Sequence, residues 1–371
     1  MLNLKLIKLK NIGIKLVYFD YHSAPRIRFI MNKILTLVLA TILLSCNNQS
    51  NNVDVLNIYS KRHYQVDKDL FKKFEEENNI KVNVIKASSD ELIERIKTEG
   101  ENCPADLLIT VDAGKLYKAA NEELLEKINV KDINSNIKNE LLDKNGFWMP
   151  ITYRARVIAY NPLKVNIQDL STYENLTNEN WKNRVLVRSS TNAYNQALLS
   201  SLVAHHGQEV ASQWCNNLVS NFARKPKGND RDQVRAIVAN VGDIAIVNSY
   251  YIGLLKSSTD SLDRKIGESV NVFFPNQAEN ERGAHVNISG LGLLKNAPNK
   301  NNAIKFMKFI TSEYAQEYYT NNSYEYPVNK NVKPSNIIAE WGDFKIDNLD
   351  LNELGIQRKK AVEIFEDSKW N

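Results

Sequence analysis

Hydrophobic positions follow two alternating periods along most of the chain. Short runs with apolar residues at every second position are typical of strands, and longer runs with a period of three to four are typical of helices. From residue 55 the pattern predicts strands at 55–59, 81–87 and 106–111, each followed by a helix, at 67–78, 89–99 and 114–125. This βαβαβ order predicts a parallel sheet with helices on its faces.

The alternation stops at 147–161, a long extended stretch without a helical period, and then restarts. The second series has predicted strands at 184–188 and 243–247 and predicted helices at 194–206, 208–218, 230–240 and 251–256. A second extended pair, at 270–274 and 285–294, precedes helices near 301–311 and 352–365. Two α/β units joined by two extended segments predict two lobes, a hinge that the chain crosses more than once, and a closable ligand cleft between the lobes.

This organisation predicts lobe boundaries within an α/β fold. Lobe 1 is expected to comprise residues 53–149 and about 276–315. Lobe 2 is expected to comprise residues 150–275 and about 316–371.

The N-terminal region has the pattern of an export signal. An apolar run at 34–44 follows Met31 and Lys33, is too short to span a bilayer and suits a signal peptide. It ends in Leu-Leu-Ser-Cys, which resembles a bacterial lipobox with Cys46 as the acylated residue. We therefore expect an upstream misassigned start at 1–30, a signal peptide at 31–45, and a lipidated Cys46 with a polar leash at 46–52. Plain secretion with cleavage nearby is the alternative. The predicted location is periplasmic, with membrane attachment only through the lipid anchor.

The net charge of +5 belongs to the predicted leader. Residues 1–45 contain seven Lys or Arg and one Asp, a net charge of +6, so residues 46–371 carry −1. A nucleic-acid partner is therefore not expected, because such proteins usually present a basic face. Cys103 and Cys215 lie far apart in sequence without metal-binding spacing, and we expect both to be unpaired.

Four of the 16 tyrosines lie where predicted strands give way to helices. Tyr64 lies between the strand at 55–59 and its helix, Tyr194 follows the strand at 184–188, and Tyr250 and Tyr251 follow the strand at 243–247. Ligands of open α/β sheets bind beyond these strand ends. A single tyrosine at such a corner is most simply a packing residue, but four at three equivalent corners predict a site.

The chemistry of phenols selects a hard, highly charged cation. A phenol is a poor anion near neutral pH, with a pKa of about 10, unless a cation stabilises the phenolate. Soft metals prefer thiolate, and calcium or magnesium sites need clustered carboxylates, which these corners lack. Ferric iron fits best. Four phenolates around Fe3+ leave one negative charge, which Arg154 in the extended stretch is predicted to neutralise from behind the ligands. His63, next to Tyr64, is a candidate fifth ligand or hydrogen-bond donor.

Three short segments resemble the ferric-iron-binding proteins of bacterial ABC transporters, especially the cyanobacterial branch. They are Tyr-Ser-Lys-Arg-His-Tyr at 59–64, Asn-Ala-Tyr-Asn-Gln at 192–196 and Asn-Ser-Tyr-Tyr at 248–251. The resemblance extends from about residue 55 to the C-terminus and implies a class II periplasmic binding protein fold, similar to transferrin. It implies Tyr64, Tyr194, Tyr250 and Tyr251 as ligands, with Arg154 and His63 as neighbours. It also implies an inner-membrane ABC permease as partner, and we expect a monomer. Whether ferrous iron also binds stays open.

Two other function classes are alternatives to iron binding. The hydroxyls of Ser189, Ser190 and Thr191 before a predicted helix could bind an oxyanion, and the tyrosines would then line a cleft for that anion or for a small organic solute. A secreted enzyme using His63, Tyr64 or Arg154 is disfavoured, because no paired base and nucleophile is present. The sequence also contains no GxSxG, HExxH or P-loop motif. The sequence therefore predicts a binding protein and not an enzyme.

Overall fold

A computed structural model describes residues 4–8, 15–19 and 54–371. The first two segments are strands β1 (Leu4–Lys8) and β2 (Lys15–Phe19), which pair antiparallel within a separate N-terminal unit. The predictions for the signal peptide, Cys46 and the leash lie outside the described residues. Among the described residues, no helix is long and apolar enough to cross a membrane.

Residues 53–371 form a second unit built on one mixed sheet. Its strands are β3 (Asp54–Ser60), β4 (Ile80–Lys86), β5 (Leu107–Thr110), β6 (Trp148–Tyr160), β7 (Val185–Leu186), β8 (Ile244–Asn248), β9 (Asn271–Phe273), β10 (Val286–Leu293) and β11 (Tyr326–Pro327). Its helices are α1 (Gln65–Asn78), α2 (Ser89–Glu99), α3 (Ala113–Asn121), α4 (Val130–Ile133), α5 (Ala193–Val219), α6 (Asp230–Val238), α7 (Ser249–Lys256), α8 (Ser261–Glu268), α9 (Lys300–Ile310), α10 (Glu313–Ser323), α11 (Asn336–Ala339), α12 (Glu353–Ile356) and α13 (Arg358–Asp367).

The predicted parallel βαβαβ unit is confirmed, since β3 pairs in parallel with both β4 and β5. The neighbouring order is β4-β3-β5-β10-β6-β8-β7, and β9 and β11 also pair with β6. Parallel strands need crossover connections, and α1 and α2 provide them on this side of the sheet. The carboxyl ends of β3 and β5 therefore lie at the same edge, and Tyr64 follows the first of them.

Strand β6 connects the two parts of the sheet. All 13 of its residues are buried. Its first part pairs with β10 and β11, and its last five residues pair with β8. The buried residues include Thr152, Arg154 and Arg156 as well as apolar side chains, and a strand covered on both faces has no helical period. The strand is the extended segment for which we predicted a hinge, and the two-lobe boundaries stay a prediction.

The apolar residues form several cores. One small core lies under α2 and α3 and includes Leu92, Ile93 and Leu108. Another joins α5 and α13 to the last part of β6 and to β8, with Trp181 and Trp370 among its buried aromatic side chains. A larger core runs along the middle of the sheet. The larger core reaches both of these regions, since it includes Leu116 of α3 and Ala197 of α5.

Several predicted boundaries were wrong. The predicted helix at 114–125 ends at Asn121, where α3 stops, and the predicted helix at 352–365 is two helices that meet at Gln357. Helices α4, α8, α10 and α11 and strand β11 were not predicted. The predicted break between the helices at 194–206 and 208–218 is confirmed, because Gly207 has φ of 81° and interrupts the helical backbone of α5. Glycine adopts this left-handed conformation without the steric cost that a Cβ would bring.

Candidate metal centre

Each predicted tyrosine begins or adjoins a helix, and a polar side chain fixes its position. Tyr64 is the N-cap residue of α1, and its backbone N–H donates to the carboxylate of Asp67 (3.2 Å). Tyr194 is the second residue of α5, where the amide oxygen of Asn192 accepts from its N–H (3.0 Å). Asparagine is among the residues that cap helix N-termini best, because its oxygen satisfies an otherwise unpaired backbone donor. The local sequence therefore holds both backbones in place.

Tyr250 and Tyr251 form the first turn of α7, directly after β8. The N-cap residue of that helix, Asn248, donates its backbone N–H to Asp230 (3.0 Å) and accepts from Arg156 through its side chain (3.2 Å). These contacts attach the start of α7 to buried charged groups. The position of the tyrosine pair therefore depends on β6 and α6 as well as on its own helix.

The structure brings the four predicted tyrosines together. The hydroxyls of Tyr194 and Tyr250 are 3.3 Å apart, and the rings of Tyr250 and Tyr251 pack with their centroids 4.2 Å apart. Tyr64 lies with Tyr250 along one cavity of about 200 Å³, next to Arg231 and Glu325. Three strand-to-helix corners that are distant in sequence thus supply one group of phenols.

Three of the phenols, those of Tyr64, Tyr250 and Tyr251, have a raised pKa and keep their protons in the absence of a cation. Burial, followed by the neighbouring Tyr194 phenol, raises the pKa of Tyr64 above its usual value. The same two causes, with Tyr64 added, raise the pKa of Tyr250 and of Tyr251 even further. Because several phenolates cannot form side by side without compensation, only a strongly charged cation would deprotonate the group.

Arginine side chains surround the tyrosines. The guanidinium carbons of Arg188, Arg154 and Arg156 lie 5.5, 5.6 and 5.9 Å from the centre of the Tyr194 ring. Arg154 is 2% exposed and donates to the backbone oxygen of Val111. Arg154 is therefore a buried residue, and its role behind the ligands stays a prediction. Arg231 lies 5.8 Å from the centre of the Tyr251 ring.

His63 is exposed and stacks on the ring of Tyr64, with centroids 5.1 Å apart. Its Nδ1 lies 3.4 Å from the backbone oxygen of Lys61. The structure therefore places His63 beside the Tyr64 ring, and its predicted contact with a metal stays a prediction.

Buried charges that the sequence analysis missed lie behind the phenols. The guanidinium of Arg62 donates to Asp67 (2.8 Å) and Glu325 (3.0 Å) and lies 5.3 Å from the centre of the Tyr64 ring. On the other side, Asp230 is fully buried and accepts from Arg156 (2.5 Å) and Arg188 (2.6 Å). Asp67 and Asp230 had a local signal, since each begins a predicted helix. Glu325 is 263 residues away from Arg62 and had none.

The other donors are less suited to a ligand. The hydroxyls of Ser189 and Thr191 lie 3.1 Å from each other, and Ser190 donates to Asn371 (2.5 Å), so the predicted oxyanion donors are partly engaged. Within 54–371, no group of three or more His, Cys, Asp or Glu side chains could hold a metal. Cys103 and Cys215 are buried and free, as predicted. The converging phenols are therefore the candidate metal donors among the described residues.

The model of the family described as bacterial extracellular solute-binding protein matches residues 69–346. The chain belongs to this family. It is also 43% identical to iron uptake protein A1 of Synechocystis over 344 residues, a match that covers 90% of this chain and 95% of that protein. Members of this solute-binding family are not enzymes and act outside the cytoplasm, which confirms the expected protein class and the coarse periplasmic location.

Solved structures of solute-binding proteins confirm the class II periplasmic binding fold. The Trichodesmium protein IdiA (FutA), in complex with iron and citrate, is 42% identical with a TM-score of 0.81, and the match covers 85% of this chain and all of that one. A ferric binding protein from Campylobacter jejuni is 40% identical with a TM-score of 0.79, over 84% of this chain and 99% of that one. These likenesses confirm the family resemblance predicted from the three tyrosine segments.

Proposed function

We propose that this protein captures ferric iron through the phenolates of Tyr64, Tyr194, Tyr250 and Tyr251. The observation that carries the proposal is the convergence of four phenols from three strand ends. The names of its relatives, which include an iron uptake protein and ferric binding proteins, support the same cargo. Phenolate oxygen is a hard donor, and hard trivalent iron is the matching acceptor.

Binding would be coupled to proton release. Metal ligands must be deprotonated, and the raised pKa values of Tyr64, Tyr250 and Tyr251 mean that iron displaces protons that these phenols otherwise hold firmly. Four phenolates around Fe3+ leave a net charge of −1, which Arg154 and Arg188 are placed to balance. Ferrous iron is a second candidate, although it would leave a net charge of −2. His63 is proposed as a fifth ligand or as a hydrogen-bond donor.

We propose that closure of two lobes completes the site. With the boundaries given above, Tyr64 comes from lobe 1 and the other three tyrosines come from lobe 2. Iron would first bind Tyr194, Tyr250 and Tyr251, which we call the three-tyrosine side. Tyr64 would then close onto the bound iron. Strand β6 is the proposed hinge, because it pairs with strands of both parts of the sheet.

Delivery completes the proposed function. The closed protein would dock as a monomer on an inner-membrane ABC permease, and iron would leave on opening. We propose that residues 31–45 are removed as a signal peptide and that acylated Cys46 tethers the protein to the membrane. This tether would keep the iron receptor close to its permease.

The deciding experiment is a visible absorption spectrum of the purified protein before and after addition of a chelated ferric salt. Charge transfer from phenolate to ferric iron should produce a broad band, and a reductant should bleach it. Tyr250→Phe should weaken or shift the band. The matched control Tyr314→Phe, at a half-exposed tyrosine of α10, should leave it unchanged. A colourless wild-type protein would reject ferric phenolate ligation and favour an oxyanion or small organic solute.

A further inference from the structure

Arg358, the first residue of α13, contacts two segments that lie far apart in the chain, the start of α3 and the start of α5. Its Nη2 donates to the carboxylate of Asp112, which caps α3. Its Nη1 donates to the backbone oxygen of Ala193 (3.2 Å) and to the side-chain oxygen of Gln196 (3.1 Å), at the start of α5. One guanidinium therefore bridges the end of β5 and the helix that carries Tyr194.

Asp112 is held in place on all sides. It is 1% exposed, and its Oδ1 accepts from the N–H of Gly114 (3.0 Å) and from the amide of Asn287 (3.0 Å). Burial alone would raise the pKa of Asp112, but Arg358, Asn287 and Arg154 outweigh burial and hold the pKa below its usual value. The carboxylate therefore stays charged, and it needs a cation close by for as long as it is buried.

The contact surface around this ion pair, which we call the α3–α13 seam, is tightly packed. A Cβ on Gly114 would lie 2.9 Å from the backbone oxygen of Leu354 and 3.0 Å from Nη2 of Arg358. A Cβ on Gly355 would lie 2.4 Å from the Tyr117 ring. Glycines at both positions allow α3 to approach α12 and α13 closely, so the ion pair forms at a surface built for close contact.

The α3–α13 seam adjoins Tyr194, a predicted iron ligand. Ala193, which accepts from Arg358, precedes Tyr194. Arg154, which lies against the Tyr194 ring, donates to the backbone oxygen of Val111, the neighbour of Asp112. Two arginines thus connect the segment Val111–Asp112 to the three-tyrosine side. A movement that separates these two parts has to break both connections.

We propose that the Asp112–Arg358 ion pair is a latch that holds the α3–α13 seam closed and thereby sets the rate of iron release. The proposal rests on the proposed function. Neither residue touches the phenols, so both act as positioning residues. Loss of the latch leaves the ligand set intact and shifts the population toward the open state, in which iron is held by fewer tyrosines.

The test compares Asp112→Asn, Arg358→Gln and the double variant with the wild-type protein, all loaded with ferric iron. Asparagine keeps the ability of residue 112 to cap α3, so the fold is retained. Release of iron to a competing chelator should be about tenfold faster in each single variant, within the range of typical coupling between sites. The double variant should release iron no faster than the single variants, because all three lack the same contact. The visible band should keep its wavelength.

The matched control is Arg235→Gln, which removes an ion pair with Asp263 (2.7 Å) between α6 and α8, away from the seam. It should leave the release rate unchanged. Unchanged release in both Asp112→Asn and Arg358→Gln would overturn the latch, as would equal acceleration in the control. A shifted band in these variants would also overturn it, because the residues would then act on the ligands themselves.

Small-angle X-ray scattering separates failure of the latch from failure of the proposed function. If the wild-type protein takes up no iron, the proposed function fails, and the metal-free proteins still test the latch. A larger radius of gyration in Asp112→Asn and Arg358→Gln than in the wild type would support the latch. Equal radii would overturn it.

Discussion

The two sides of the tyrosine cluster have buried charges of opposite sign. Behind Tyr64, one arginine, Arg62, lies between the carboxylates of Asp67 and Glu325, a net charge of −1. Behind the other three tyrosines, Arg156 and Arg188 share the single carboxylate of Asp230, a net charge of +1. Arg154 adds a further positive charge on that side.

This difference assigns separate electrostatic tasks to the two sides. In the proposed mechanism, the positive side would compensate phenolates, which would form in greater number where three tyrosines meet. The negative side would attract the cation and leave Tyr64 as the single phenol that approaches from there. Charges fixed in a dry interior act strongly on their neighbours, because little water screens them. A site assembled in this way favours a highly charged cation over a neutral or anionic ligand.

The largest effect on stability is expected on the positive side. Asp230→Asn removes the carboxylate that pairs with Arg156 and Arg188 and leaves both charges buried without compensation. Breaking a buried ion pair in this way typically costs about 3–5 kcal/mol of unfolding free energy. Urea unfolding followed by circular dichroism measures the loss.

Asp263→Asn is the control for this variant, because Asp263 pairs with Arg235 at a partly exposed position. Exposed pairs are worth about 1 kcal/mol or less. Equal losses in the two variants would contradict the view that the positive side is a buried, tightly balanced charge cluster.

A second effect, of intermediate size, concerns His285, which is buried on the positive side. Burial and the nearby Arg156 and Arg282 lower its pKa to about 3 from an ordinary value of 6.5. At these pH values the unfolded chain therefore binds a proton that the folded chain does not bind. The free energy of unfolding falls as the pH drops from 6.5 toward 3.

At pH 5 the free energy of unfolding is lower by about 2 kcal/mol, because each pKa unit corresponds to about 1.36 kcal/mol. In His285→Asn this part of the pH dependence should disappear. The measurement compares the unfolding free energies of the wild type and the variant at pH 7 and pH 5. A difference between the two proteins that stays constant across this range would show that His285 is not held neutral.

The smallest change in stability is expected on the negative side. Tyr64→Phe removes one hydroxyl from a half-buried ring and should alter the free energy of unfolding by about 1 kcal/mol or less. Iron affinity should fall by about 100-fold, since loss even of an outer neighbour of a metal ligand costs about 10- to 100-fold. Competition with a chelator measures the affinity. An unchanged affinity would remove Tyr64 from the ligand set.

The corner tyrosines could be predicted because the relevant physics is local. Alternating periods located β3, β8 and the helices that follow them, and parallel pairing places strand ends at one edge. Four tyrosines at such strand ends therefore predict a site from the sequence alone. The short strand β7 was also predicted, although it has only two residues and the predicted strand, at 184–188, is longer.

The charged residues behind the tyrosines could not be predicted in the same way. Glu325 reaches Arg62, and Arg358 reaches Asp112, across more than two hundred residues of chain. No period or spacing encodes such contacts, because they depend on how complete elements pack. Helix α10 was missed for a related reason. Its polar and aromatic sequence has a weak apolar face, and contacts made elsewhere in the fold, such as that of Tyr319 with Asp67 (3.0 Å), support it.

The shared strand β6 has a consequence for how this protein can be recombined with its relatives. The first part of β6 pairs with β10, which comes from much later in the chain, in a register that runs from Val286 to Gly292. A chimera with a single crossover inside β6 would therefore join a strand from one parent to a partner strand from the other. Exchanging one whole half of the site requires additional crossovers after β9 and after α9. Grafts confined to one strand-to-helix corner, such as the Asn192–Gln196 turn, keep every sheet pairing within one parent.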